Sequence, residues 1–130
     1  MRTLGASTET APLLVAFLLG PLLIAGGLLV AAVAIQGLRG SLARNRGAGI
    51  RTPQTLASDE AWDVAHRTGG IWMLVGAFGS IIPGIVVLFR PSNGTATLVI
   101  MAGMGIMVAF VIVGGAVGSL AASRLSTPKD

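Results

Sequence analysis

The sequence predicts an all-α membrane protein with three transmembrane helices and a short interfacial helix in the loop between spans one and two. No charged residue occurs from Ala11 to Leu38, from Thr68 to Phe89 or from Pro91 to Ser123. The 130 residues are 53% hydrophobic and 11% charged, whereas a soluble domain carries about 25% charged residues. The apolar stretches show no alternation of the kind that predicts a β-barrel, so helices must satisfy the backbone polar groups within lipid.

Each uncharged stretch is long enough to cross a bilayer, since a hydrocarbon core of roughly 30 Å needs about 20 helical residues. We place the spans at about 11–36, 69–89 and 95–123, with a polar loop at 37–68, in a single domain covering 1–130. The first apolar run is longer than a secretory signal core, and basic residues follow it. We therefore expect it to be retained as a membrane anchor.

The distribution of basic residues predicts the orientation. Seven of the nine Lys and Arg residues fall on one side of the predicted spans and two, Arg2 and Arg90, on the other. Basic residues concentrate in cytoplasmic loops. We therefore expect a multi-pass protein of the cell membrane with its N-terminus outside and with loop 37–68 and the C-terminus in the cytoplasm.

The segment before the second span reads as a short helix at the inner interface. Ser58 is a favourable N-cap, and acidic residues at 59 and 60 complement a helix N-terminus. Asp63 precedes Arg67 by four residues, the spacing of a favourable ion pair on a helix. The tryptophan at position 62 predicts contact with the lipid head groups, where this residue is enriched.

Small residues repeat at intervals of four in the later spans and predict close helix contacts. The repeats are Gly76, Ser80 and Gly84 in the second span and Gly114 and Gly118 in the third. Small residues let helix backbones approach closely in lipid. We favour packing of the three spans against one another, with self-association into a homo-oligomer as the alternative.

The loop and the segment after it carry a specific combination of residues at fixed spacing. These are Asn45, Gly49, Ile50, Arg51, Thr52, Pro53, Thr55, Ser58, Glu60, Trp62, His66 and Gly69 or Gly70. This pattern resembles the signature of the SdpI family of bacterial membrane proteins, and the resemblance extends from about residue 13 to 124. It implies immunity to a secreted peptide toxin of the sporulation-delay type, or signalling through a cytoplasmic regulator, and it implies that the residues of this pattern are the functional ones.

Two residues of this pattern have alternative readings. Arg51 would bind a lipid phosphate or an anionic group of a partner, or it would only mark the cytoplasmic face. We favour His66 as a hydrogen-bonding residue at the interface over a titrating group or a metal ligand.

The leading hypothesis is a non-enzymatic membrane protein whose partners are membrane lipids, a peptide toxin and a cytoplasmic regulator. We predict no nucleic-acid partner, no catalytic residue, no cofactor and no metal, and the chain has no cysteine to supply a thiolate. One alternative is a small membrane enzyme acting on lipid head groups. It would use Asp59, Glu60, Asp63 and His66, but the only lysine is Lys129, and a phosphate-binding glycine motif is lacking. The other is a subunit of a transport complex, although the predicted spans contain no ionisable residue to mark an ion path.

Overall fold

Three long helices account for most of the chain that the structure describes. The computed structural model describes residues 4–89 and 92–125, with side chains from position 17 onward except that of Asn93. The helices are α1 (Leu4–Leu38), α2 (Asp59–Leu88) and α3 (Asn93–Ser123). The stretches Phe17–Leu38, Asp59–Leu88 and Gly94–Ser123 are each long and apolar enough to cross a membrane. The predicted all-helical, three-span architecture is therefore confirmed.

The helix before the second span is not a separate element. Residues 59–68 form the first turns of α2, which continues without interruption to Leu88. The expectation of a distinct short helix is therefore corrected, because no residue between Ser58 and the apolar part of α2 breaks the helical hydrogen bonding. Charged residues of α2 occur only in these first turns, and 69–88 is an uncharged segment that suffices to cross a core of roughly 30 Å.

Helix α2 lies between the other two helices. It packs extensively against both α1 and α3, which touch one another only slightly. Consecutive helices are antiparallel, so the end of α1, the start of α2 and the end of α3 meet at one end of the bundle. The loop between α1 and α2, residues 39–58, lies at that end and is called the α1–α2 loop below.

Small residues of α2 make the contact with α1. Ser80 is fully buried, and its hydroxyl donates a hydrogen bond of 2.8 Å to the carbonyl oxygen of Leu23. A Cβ atom added to Gly84 would lie 2.8 Å from the carbonyl oxygen of Gly20, closer than real side chains approach a backbone. These two positions therefore require small residues where the helices cross.

The contact between α2 and α3 is equally close. A Cβ atom added to Gly114 would lie 2.8 Å from the carbonyl oxygen of Gly69, and one added to Gly118 would lie 2.6 Å from that of Ala65. Further along α2, Gly76 faces the backbone of Met107, with an added Cβ 3.1 Å from its carbonyl oxygen. Each predicted small residue of these helices thus faces another helix of the same chain.

Helix α1 ends in a turn that redirects the chain over α2. Gly40 has a φ of 67°, a left-handed conformation that is easiest for glycine. Its N–H donates to the carbonyl of Gly37, and the N–H of Ser41 donates to the carbonyl of Gln36. This pair of bonds is the Schellman arrangement that closes a helix C-terminus, and it starts the α1–α2 loop back across the bundle end.

Candidate functional site

The first turns of α2 are capped as their sequence predicts. The Ser58 hydroxyl accepts a hydrogen bond of 3.0 Å from the N–H of Ala61, which confirms the predicted N-cap. Asp63 and Arg67 form the predicted ion pair, with a carboxylate oxygen 2.7 Å from the guanidinium Nε. Both side chains are about half exposed, so this pair contributes little stability by itself.

His66 is the centre of the site, and it is buried, with only 2% of its surface exposed. The backbone N–H of Ile50 donates a hydrogen bond of 2.8 Å to its Nε2 atom. Its Nδ1 atom lies 2.8 Å from the carbonyl oxygen of Trp62. Because Nε2 accepts a hydrogen bond, Nδ1 must carry the ring hydrogen and donate to that carbonyl. The geometry therefore requires a neutral imidazole that joins the α1–α2 loop to α2.

Burial also favours the neutral form of this histidine. His66 lies among the charged first turns of α2, before the uncharged segment 69–88. Desolvation lowers its pKa below the usual 6.5, against the opposing effects of the hydrogen bond to Trp62 and the negative charge of Asp63. The geometry shows the expected role in hydrogen bonding, and the partners are backbone groups of the protein itself.

The Trp62 side chain is enclosed by the protein and does not contact lipid head groups. Only 2% of its surface is exposed, and its indole N–H donates a hydrogen bond of 2.7 Å to the carbonyl oxygen of Leu42. Its ring lies 4.1 Å from that of His66, centre to centre. The head-group expectation is therefore wrong, because the α1–α2 loop folds over this face of α2 and supplies the partner that the indole needs.

Gly49 lets the loop approach the histidine. Its φ is 109°, outside the range that residues with a side chain readily adopt. A Cβ atom at this position would overlap Nε2 of His66 and lie 3.1 Å from Cη2 of Trp62. Glycine is thus required here both for the backbone conformation and for the space above the two rings.

Ile50 inserts its side chain where α2 and α3 cross. The residue is 6% exposed and packs with Ala34 of α1 and Met73 of α2. Its Cδ1 atom would lie 2.7 Å from a Cβ added to either Gly69 or Gly118. The terminal methyl group therefore rests in the depression formed by these two glycines, and this one side chain brings the loop against both α2 and α3.

Two threonines hold the loop around Ile50. Thr55 is fully buried, and its hydroxyl donates a hydrogen bond of 2.6 Å to the carbonyl oxygen of Ile50. The N–H of Thr52 donates to the same hydroxyl at 2.9 Å. The hydroxyl of Ser119, on α3, lies 3.2 Å from that of Thr52 and donates to it. The loop is consequently fixed to α3 as well as to α2.

Asn45 shapes the earlier part of the loop. Its side-chain oxygen accepts hydrogen bonds of 2.8 Å from the N–H groups of Gly47 and Ala48, and its amide donates to the carbonyl of Ala43. The Arg51 guanidinium donates to the carbonyl oxygen of Arg46. Asn45 and Arg51 therefore have roles in loop geometry in addition to any contact outside the protein.

Arg44 joins the loop to the start of α2. Its Nε atom lies 2.9 Å from a carboxylate oxygen of Asp59, and its Nη1 atom donates a hydrogen bond of 2.8 Å to the carbonyl of Leu56. Sequence reasoning did not single out Arg44 as part of the site. The sequence shows Arg44 and Asp59 only as opposite charges 15 positions apart (59 − 44), and the folded loop is needed to pair them.

The structure brings most of the predicted loop residues together and leaves others apart. Pro53 and Glu60 are exposed, outside the buried contact around the histidine. Gly76, Ser80 and Gly84 lie deeper in the helix bundle. Ser119 and the carbonyl of Leu42 belong to the site and were not predicted in that role. Ser119 could have been recognised from the sequence, because it is a hydroxyl residue in an otherwise apolar helix. The carbonyl of Leu42 could not, because every residue has a backbone carbonyl.

The carboxylates near His66 are not arranged as a metal site. Among the side chains that the structure describes, no group of three or more His, Asp or Glu lies close enough together to hold a metal ion. Asp59 instead pairs with Arg44, and Asp63 pairs with Arg67. The buried part of the site therefore consists of hydrogen-bonded and apolar contacts between the loop and the helices.

Fold and site together define a small multi-pass membrane protein whose polar loop is anchored in the crossing of its helices through a buried histidine. The family model of the SdpI/YfhL protein family matches residues 41–115, more than half of the chain. The chain belongs to that family, as its loop residues indicated. The matched region begins in the α1–α2 loop and ends within α3. Neither the curated proteins nor the solved structures gave a match.

Proposed function

We propose that this protein is a non-enzymatic component of the bacterial cell membrane that protects the cell from a secreted hydrophobic peptide, signals through its α1–α2 loop, or does both. Family membership supports the proposal. In the proposed orientation the N-terminus faces outward, and the α1–α2 loop and the C-terminus face the cytoplasm. The excess of basic residues at the loop end supports that orientation.

The position of Ile50 is the observation that carries the proposal. Its methyl group rests between Gly69 of α2 and Gly118 of α3. Its backbone N–H donates a hydrogen bond to His66, and its carbonyl accepts one from the Thr55 hydroxyl. A peptide that changes the separation of α2 and α3 would alter the depression that holds Ile50. The loop would then shift at the cytoplasmic face. The contact thus gives a physical route from an event in the membrane to a change that a regulator can recognise.

The alternative of a lipid head-group enzyme loses support from the same contacts. Asp59 is paired with Arg44, and Asp63 with Arg67. Both ring nitrogens of His66 are engaged beneath the loop. A general base must reach the proton that it removes. Asp59 and His66 instead hold the loop, and Asp63 is paired within α2.

The test is survival of cells that express or lack the protein when they are challenged with the peptides that the organism itself secretes. Two variants accompany it: Arg51→Ala at the loop surface and Ile50→Ala in the helix crossing. Ile112→Ala is the matched control, because Ile112 is 64% exposed on α3. Membrane levels of every variant are measured by immunoblot.

We expect survival to fall without the protein and with Ile50→Ala or Arg51→Ala, and to be retained with Ile112→Ala. Equal survival of all strains, with the protein present in the membrane, would remove immunity from the proposal. Signalling would then be tested by whether Ile50→Ala changes transcription on peptide challenge. No change in transcription would count against the signalling proposal too.

A further inference from the structure

A second feature of the α1–α2 loop is not used by the contacts around His66. An open cavity of about 370 Å³ is lined by Arg44, Asn45, Arg46 and Leu56. We propose that this cavity binds the phosphate group of an anionic phospholipid from the leaflet at the loop end of the protein. This inference concerns lipid recognition and does not depend on the immunity or signalling role.

Two of the residues that line the cavity are held in place. Arg44 is held by the carboxylate of Asp59 at 2.9 Å and by the carbonyl of Leu56 at 2.8 Å. Asn45 is held by its bonds to the backbone at 43, 47 and 48. The side chain of Arg46, in contrast, forms no ion pair with any acidic residue that the structure describes. Its planar group of donors therefore remains available, and that geometry suits phosphate.

The charge of this end of the bundle favours an anion. Among the described residues it holds six arginines against three acidic residues. Two of the acids are already paired, Asp59 with Arg44 and Asp63 with Arg67. Those two acids line a neighbouring cavity of about 540 Å³ instead of this one. The 370 Å³ cavity is thus the one of the two whose lining lacks a carboxylate.

The position of the cavity selects a lipid as the source of the phosphate. The α1–α2 loop begins where α1 ends and finishes where α2 begins, so it lies where membrane-spanning helices leave the hydrocarbon. Basic residues beside a membrane surface attract anionic head groups. Leu56, 37% exposed on the cavity wall, adds an apolar surface that a lipid can contact and inorganic phosphate cannot.

Binding is tested by native mass spectrometry of the full chain released from an uncharged detergent, which counts bound lipid directly. The probes are phosphatidylglycerol and phosphatidylcholine with matched acyl chains, and inorganic phosphate as a competitor. The variant is Arg46→Gln. The Arg46 guanidinium forms no ion pair that the structure describes, so its loss removes no such pair. The matched control is Arg39→Gln, because Arg39 is an exposed arginine at the same end that does not line the cavity.

We expect one phosphatidylglycerol per chain, with an apparent Kd that rises about tenfold or more in Arg46→Gln and less than about twofold in Arg39→Gln. Near-ultraviolet circular dichroism of Trp62 in a Trp72→Phe background should match between the variants, so a lost site is distinguishable from a lost fold. Equal weakening by both arginine variants would overturn the proposal, and so would equal binding of phosphatidylcholine. Displacement of the lipid by an equal concentration of inorganic phosphate would overturn the lipid as the source.

Discussion

Replacing Gly49 by alanine should destabilise this protein far more than the same change at Gly47, two residues earlier in the same loop. At Gly49 the backbone φ is 109°, and the new methyl group would overlap Nε2 of His66. At Gly47 the nearest atom to an added Cβ is the side-chain oxygen of Asn45 at 3.5 Å, an ordinary contact. The two variants add the same methyl group and differ in the backbone conformation at the site and in the atoms around it.

The expected loss follows from two terms. Holding alanine in the unfavourable backbone region costs about 1–3 kcal/mol. If the loop moves to avoid the overlap, the buried N–H of Ile50 loses its acceptor on His66, which costs about 1–3 kcal/mol. We therefore expect Gly49→Ala to lower the free energy of unfolding by at least about 2 kcal/mol, and Gly47→Ala to change it by less than about 0.5 kcal/mol.

Unfolding by sodium dodecyl sulfate in mixed micelles measures this difference, with tryptophan fluorescence as the signal. Trp62 is a suitable reporter because it lies directly beneath the loop and bonds to the carbonyl of Leu42. A Trp72→Phe background removes the other tryptophan. If Gly49→Ala and Gly47→Ala unfold at the same detergent fraction, the close approach of the loop to His66 is not what stabilises this end of the protein.

Two further predictions concern the helix crossing and the histidine. Gly118→Leu should lower the free energy of unfolding by about 1–3 kcal/mol or more, because an added Cβ at Gly118 lies 2.6 Å from the carbonyl of Ala65. Gly115→Leu is the control, having no atom within 4 Å of an added Cβ, and equal unfolding midpoints would contradict the packing described. Because burial lowers the pKa of His66 below 6.5, the unfolded chain binds the proton first, and stability should be full above about pH 6.5 and fall as the pH drops below it. Unfolding midpoints measured between about pH 5 and 8 test this dependence. A His66→Gln variant should lack it. If the midpoint of that variant still changes with pH as in the original protein, the dependence belongs to other groups.

Local patterns in the sequence were sufficient for the elements that depend on near neighbours. The Ser58 cap and the ion pair of Asp63 with Arg67 join residues three and four positions apart. Such spacings are fixed by the helix itself, so the sequence specifies them directly. The three uncharged stretches likewise predict membrane-spanning helices because the length of a span depends only on the bilayer.

The extent of α2 differs from the prediction, which divided this one helix into a short interfacial helix and a separate second span. The cap at Ser58 was correct, but the helix it starts is the beginning of the second span instead of a separate element. The change from charged to uncharged residues near position 68 marks a change of surroundings along one helix. Composition alone does not distinguish that change from the boundary between two helices.

The candidate site required contacts that are distant in the sequence. Ile50 meets His66 across 16 positions, and Thr52 meets Ser119 across 67. Resemblance to the family indicated which loop residues matter, but it gave no reason for them. The left-handed turn at Gly49 and the burial of Trp62 supply that reason, and both depend on how the loop lies over α2.

Three apolar helices, the Ser58 cap and the gathering of basic residues at one end can all be predicted from the amino-acid order alone. These properties depend on periodicity, capping and charge, which are local. The position of Ile50 between Gly69 and Gly118 and the role of His66 as a buried acceptor follow from the folded arrangement of the loop and the helices. Those contacts depend on the order and crossing of the helices, because a methyl group fits between two glycines only when α2 and α3 bring their backbones together.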